Sequence, residues 1–185
     1  MAASVEHTVL PAPEFDRPVK VLIVVSPYYS DIAAGLLSGA KTALEDAGAT
    51  YEVVEMPGAL EIPTAIGIAE RRSNFDGFVA LGCVIRGETT HYETVCNDSS
   101  RALQLLGLQG LCIGNGILTV ENKDQADVRA DPKGQNKGGG AALAALHLVA
   151  LARKWGSSPQ GIGFKPRGED KVMAGGFDTD GNPTA

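Results

Sequence analysis

Arg86, Gly87, Thr89, Thr90 and His91 fall within six residues, directly after the apolar run Phe78–Ile85. That run reads as a buried strand. A fixed cation, flexible backbone donors, two hydroxyls and a titratable imidazole therefore stand just past a strand's carboxyl end, the edge at which parallel α/β sheets bind ligands. An imidazole takes and returns protons near neutral pH, so His91 is the first candidate for general acid–base chemistry. A lone histidine at a helix start can equally make a backbone hydrogen bond. Thr89 and the backbone around Gly87 and Glu88 are placed to hold a phosphate, because a helix begins there and its first N–H groups lack partners. Arg86 either joins them or makes a structural ion pair, and the residues leave both open.

Other residues collect at the same edge. Glu61 follows Met56-Pro57-Gly58-Ala59-Leu60 at the mouth of the second apolar strand. A first-turn glutamate complementing a helix dipole is the simpler reading of it when taken alone. Tyr28 and Tyr29 follow the first strand in a chain that is only 5% aromatic, which suggests a flat ligand to stack against. Arg129 and Lys137 flank the Lys133–Asn136 loop, where cations could meet an anion, although surface solvation is the default for each. Gly138-Gly139-Gly140 permits close backbone approach. Ser26-Pro27-Tyr28-Tyr29-Ser30 carries neither a G-x-G-x-x-G nor a Walker pattern, which counts against a dinucleotide or nucleoside-triphosphate site.

The elements that must position these residues are legible from periodicity. Val19–Val25 is β-branched and almost wholly apolar, as a strand covered on both faces should be. A helix is expected over 30–47, with Gly48 just beyond its end. Thr50–Glu55 reads as a second strand, and Glu61–Arg72 as a helix after Pro63. The third strand opens at Asp76-Gly77, and a helix follows over about 92–107. A fourth strand is expected over 111–118, a short helix over 121–130, and an Ala/Leu-rich helix ending near Trp155. Alternating strands and helices imply a mostly parallel sheet between helical layers. The last helix is apolar nearly all round, more than one sheet face can cover, which points to a subunit interface.

With 185 residues, 44% of them hydrophobic, the chain suits one well-buried domain. Its net charge of -6 argues against a nucleic-acid groove. Residues 1–17 read as an arm, in which Pro11 and Pro13 disfavour helix and His7-Thr8-Val9-Leu10 could pair as an edge strand. Residues 18–155 form the domain. Residues 156–185 hold seven glycines and three prolines and read as a flexible extension. Cys83, Cys96 and Cys112 match no metal spacing and suggest reduced thiols, with Cys83 and Cys112 as small buried residues. No secretory signal or membrane-length apolar run is present, so a cytoplasmic protein is expected.

Read together and in order, Pro57-Gly58-Ala59-Leu60-Glu61-Ile62-Pro63, Gly82 through His91, Gly116-Ile117-Leu118-Thr119 and Asn136-Lys137-Gly138 closely resemble the lumazine synthases of riboflavin biosynthesis, across about 19–155. The resemblance implies a flavodoxin-like three-layer α/β/α sandwich with a four-stranded parallel sheet, assembled as pentamers, dimers of pentamers or sixty-subunit icosahedral shells. It implies condensation of 5-amino-6-(D-ribitylamino)uracil with 3,4-dihydroxy-2-butanone 4-phosphate, without metal or organic cofactor. By the same resemblance Tyr28 would stack on the pyrimidine and Ala59, Leu60 and Glu61 would hold the ribityl chain. Cys83, Val84 and Ile85 would border the ring. Glu88 and Thr89 would bind phosphate, joined by Arg129 of an adjacent subunit, and His91 would move protons. Lys137 falls in the matching Asn-Lys-Gly motif and counts among the substrate-binding candidates.

This chain also departs from the pattern. Asn115 stands where many members present a phenylalanine to the neighbouring subunit's pocket, and Gly140 replaces a common glutamate. The segment after Trp155 is longer than usual. No insertion separates Thr119 from Asn136 of the kind found in members that stop at pentamers. The departures keep one alternative in view, a lumazine- or flavin-binding shell protein with little catalysis. Intact Thr89, His91 and Arg129 favour the enzyme.

Overall fold

The computed structural model describes residues 10–156. Four strands, β1 (Lys20–Val25), β2 (Thr50–Glu55), β3 (Gly77–Ile85) and β4 (Ile113–Val120), alternate with five helices. The helices are α1 (Ser30–Asp46), α2 (Glu61–Arg72), α3 (His91–Leu108), α4 (Lys123–Ala130) and α5 (Lys137–Gly156). The sheet is wholly parallel in the order β2-β1-β3-β4. The expected edge pairing over His7–Leu10 and the Gly/Pro-rich extension fall almost entirely outside the described residues.

Strand pleating sorts the core into two layers. Val21, Ile23 and Val25 of β1, with Val79 and Leu81 of β3, pack under α1, α4 and α5. Leu22, Val24, Phe78 and Ala80 point the other way, onto Ile62 and Ile66 of α2 and Leu103 of α3. Both central strands are thus covered on both faces, as their unbroken apolar runs require. The outer strand β2 is different: only Tyr51 is half-buried, and Val53 and Val54 are exposed.

Most boundaries lie within a residue of those expected, α2 among them, while β4 and α4 shift for local reasons. α2 includes Pro63 in its first turn, where a missing N–H costs nothing because first-turn N–H groups have no intrahelical partner. β4 starts at Ile113 because Leu111 still closes the preceding turn, its N–H donating to Leu106 O. It runs on to Val120 because β3 pairs it as far as Ile85↔Val120. α4 begins at Lys123 because Asn122 caps it, Oδ1 accepting from Gln125 N–H at 3.0 Å.

The glycine run acts at the junction of α5 with α1. A Cβ on Gly138 would collide with the backbone carbonyl of Leu36, whereas Gly140 faces open space. Asn136 enters the left-handed region at φ 45, and its Oδ1 accepts from Gly139 N–H at 3.1 Å, starting α5. At the other end Arg153 donates to Arg17 O, Pro18 O and Asp76 Oδ1, fastening α5 to the start of the sheet.

Candidate active site

A pocket of about 520 Å³ opens at the carboxyl edge of the sheet, within the size range of small-molecule sites. Ser26, Tyr28 and Tyr29 reach it from the end of β1, Gly58–Glu61 from the turn after β2, and Cys83–Ile85 from the end of β3. Gly87 and Thr89 line it from the following loop, and His91, Tyr92 and Val95 from the first turns of α3. Eleven of the residues singled out from sequence meet here: Tyr28, Tyr29, Ala59, Leu60, Glu61, Cys83, Val84, Ile85, Gly87, Thr89 and His91.

Three helices, α1, α2 and α3, begin at this pocket, and their N-cap residues Tyr29, Leu60 and Thr90 make no side-chain cap bond. Away from it α4 is capped by Asn122. Each helix start brings the positive end of its dipole to the pocket, partly offset by Asp31, Glu61 and Glu93 in the three first turns. Among the described residues no lysine or arginine lines it. The loop Gly87–Thr90 is exposed throughout, and His91 N–H approaches Thr89 Oγ1 at 3.4 Å.

The walls differ in character. Tyr28 is 74% exposed at the mouth, edge-to-face with Tyr29 at a ring separation of 5.1 Å. Its free face offers stacking surface. Burial pushes the Tyr29 and Tyr92 phenols up from their ordinary range. Burial also pushes the Cys83 thiol up to about 11. Cys83 is therefore a neutral wall at physiological pH and no thiolate nucleophile.

Four of the sequence-picked residues lie outside this pocket. Glu88 is exposed in the loop beside it. Asn115 sits within the outer strand β4, where its Oδ1 accepts from Ile117 N–H at 3.0 Å, occupying a backbone donor of an edge strand. Arg129, in the last turn of α4, donates to Gln125 O at 2.9 Å. Lys137 is the exposed first residue of α5. For Arg86 the ion-pair reading holds: it pairs with Glu93 and with Glu121, the latter at 2.7 Å, and its guanidinium lies 4.1 Å from the Tyr92 ring centroid.

Sequence reasoning passed over Ser26, Gly58, Tyr92 and Val95 as pocket residues. Val95 lies four residues after His91 on α3, a helical spacing that carries a readable signal. Ser26 gave none; it is buried because its N–H extends the β1 ladder to Leu81 O at 2.9 Å.

Comparison with known proteins adds a separate line. The family model described as 6,7-dimethyl-8-ribityllumazine synthase matches residues 18–153. A protein of that name from a Jannaschia species is 60% identical over 163 residues, covering 88% of this chain and 92% of its own. One from Novosphingobium aromaticivorans is 54% identical over 136 residues, 74% of this chain and 98% of its own. One from Bartonella henselae is 54% identical over 146 residues, 77% and 94% respectively.

Proposed function

The chain belongs to the 6,7-dimethyl-8-ribityllumazine synthase family, and we propose that the pocket beside His91 is where it condenses 5-amino-6-(D-ribitylamino)uracil with 3,4-dihydroxy-2-butanone 4-phosphate. The protein is a transferase of riboflavin biosynthesis. The observation that carries the siting is the convergence of three helix starts on a pocket that also holds Thr89 and His91.

The chemistry needs an anion site, a flat surface and a proton carrier close together. The phosphate sits at the start of α3, against Thr89 and the N–H groups that follow, with Glu88 beside it. Tyr28 stacks on the pyrimidine, whose ring is bordered by Cys83, Val84 and Ile85, and Ala59-Leu60-Glu61 holds the ribityl chain. The 5-amino group attacks the ketone to form an imine. His91 passes the protons required for loss of the first water and for phosphate elimination; the ribitylamino nitrogen then closes the ring on the carbonyl so formed, and a second water leaves. Binding both reactants side by side turns a bimolecular condensation into an effectively unimolecular one, the larger source of rate.

A pocket with no lysine or arginine among its described lining fits a site completed by a neighbour, with Arg129 and Asn115 arriving from an adjacent subunit and Lys137 a further substrate contact. Residues 18–155 are the catalytic unit, in a flavodoxin-like sandwich. Pentamers or multiples of them follow the family reading, supported by Leu148, Leu151 and Trp155, exposed along the outer side of α5. Three free cysteines suit the cytoplasm.

Mixing the protein with both substrates should yield the fluorescent lumazine, and His91→Ala should lower turnover severalfold or more while the assembly survives. Full turnover by His91→Ala removes that residue from its role. The shell-protein alternative would bind pyrimidine and form no product.

A further inference from the structure

We propose that Arg86 is a positioning residue for the loop that carries Thr89 and leads into His91. This inference rests on the siting of the reaction at the His91 pocket. Arg86 does not line that pocket. It stands at the end of β3, and its side chain reaches across the four-residue loop Gly87–Thr90 to Glu93 in the first turn of α3. Its Nε donates to Glu121 Oε2 at 2.7 Å, just past β4, and its N–H donates to Val120 O at 2.9 Å. The guanidinium also covers Tyr92, which does line the pocket.

The loop has little else to hold it. Among the described residues, the backbone of Gly87, Glu88 and Thr89 makes no hydrogen bond. Thr89 Oγ1 meets only His91 N–H, at 3.4 Å. An exposed four-residue loop containing a glycine samples many conformations unless its ends are fixed. Arg86 fixes both ends, and planar arginine suits the task, since one guanidinium can serve two carboxylates and a ring at once. Half-exposed ion pairs each bias a population by up to about fivefold. Three contacts on one group are too weak to decide whether the chain folds, yet strong enough to decide how often Thr89 and His91 stand in the reactive arrangement.

The test compares steady-state kinetics with thermal unfolding and particle size for Arg86→Met, Arg86→Lys, Glu93→Gln and the double variant Arg86→Met/Glu93→Gln, beside His91→Ala. Arg86→Met should lower kcat about tenfold, leave KM for the pyrimidine within about twofold, lower the unfolding midpoint only slightly and keep the assembly. Arg86→Lys should lie between it and the wild type. The double variant should be no slower than Arg86→Met alone, because the two side chains act as one tie. Unchanged kcat in Arg86→Met overturns the proposal, as do additive losses in the double variant. A raised KM for the sugar phosphate at full kcat also overturns it, because that would make Arg86 a direct anion contact. Should Arg86→Met fail to fold, Glu121→Gln removes one arm of the tie, and full kcat there overturns the proposal equally. If His91→Ala keeps full turnover, the siting itself fails and the tie falls with it; if only Arg86→Met keeps it, the tie alone fails.

Discussion

Cys83 shows how burial decides the chemistry of a residue in the pocket. Its thiol borders the space assigned to the pyrimidine, yet desolvation raises it to about 11, above the ordinary thiol range near 8.5. The thiolate therefore becomes abundant only as pH approaches that raised value. Iodoacetamide should label Cys83 slowly in the native protein at pH 8 and rapidly once the chain is unfolded at the same pH, read by peptide mass. Fast native labelling at pH 8 would show that the thiol is neither buried nor protonated. Single residues were also where sequence reading reached furthest. Tyr28, Glu61, Thr89 and His91 stand out by type and place, and all line the pocket. Arg86 could not be decided from sequence, because its partners Glu93 and Glu121 come from two other elements. Only the fold brings them to it.

At the scale of elements, the junction of β3 and α3 has its own pH response. Arg86 holds the Glu93 carboxyl below its ordinary range, chiefly through their hydrogen bond. A lowered folded-state pKa adds stability that is present above the ordinary glutamate range and lost as pH falls through the lowered value. The unfolding midpoint of the wild type should thus exceed that of Glu93→Gln slightly at pH 7, and the gap should close on acidification. A gap that widens at low pH would contradict the pairing. The strands were readable because both faces of β1 and β3 are covered, which leaves apolar runs with little ambiguity. Element ends were less so. β4 begins and ends by its register with β3, a long-range property that Leu111 and Thr119 do not announce locally.

For the whole molecule, the outer side of α5 is the feature the folded subunit leaves unexplained. Leu148, Leu151 and Trp155 are 41%, 40% and 66% exposed, one to two helical turns apart. If neighbours cover them, Leu151→Asp should reduce particle size on gel filtration while α5 keeps its helicity, and an unchanged particle would place the interface elsewhere. Assembly size itself was not legible, since it depends on surfaces meeting between chains. The same scale exposes a tension between a net charge of -6 and three positive helix ends aimed at one pocket. If phosphate binds at the start of α3 as proposed, the acidic surface slows its approach and the helix end retains it once it enters. That retention does not distinguish reactant from leaving group. A dipole made of backbone cannot be switched off after the reaction as a titrating side chain can, so the phosphate set free still occupies an attractive site. Inorganic phosphate should then inhibit competitively against the sugar phosphate and leave the pyrimidine's binding untouched, and turnover should quicken where salt loosens the departing ion.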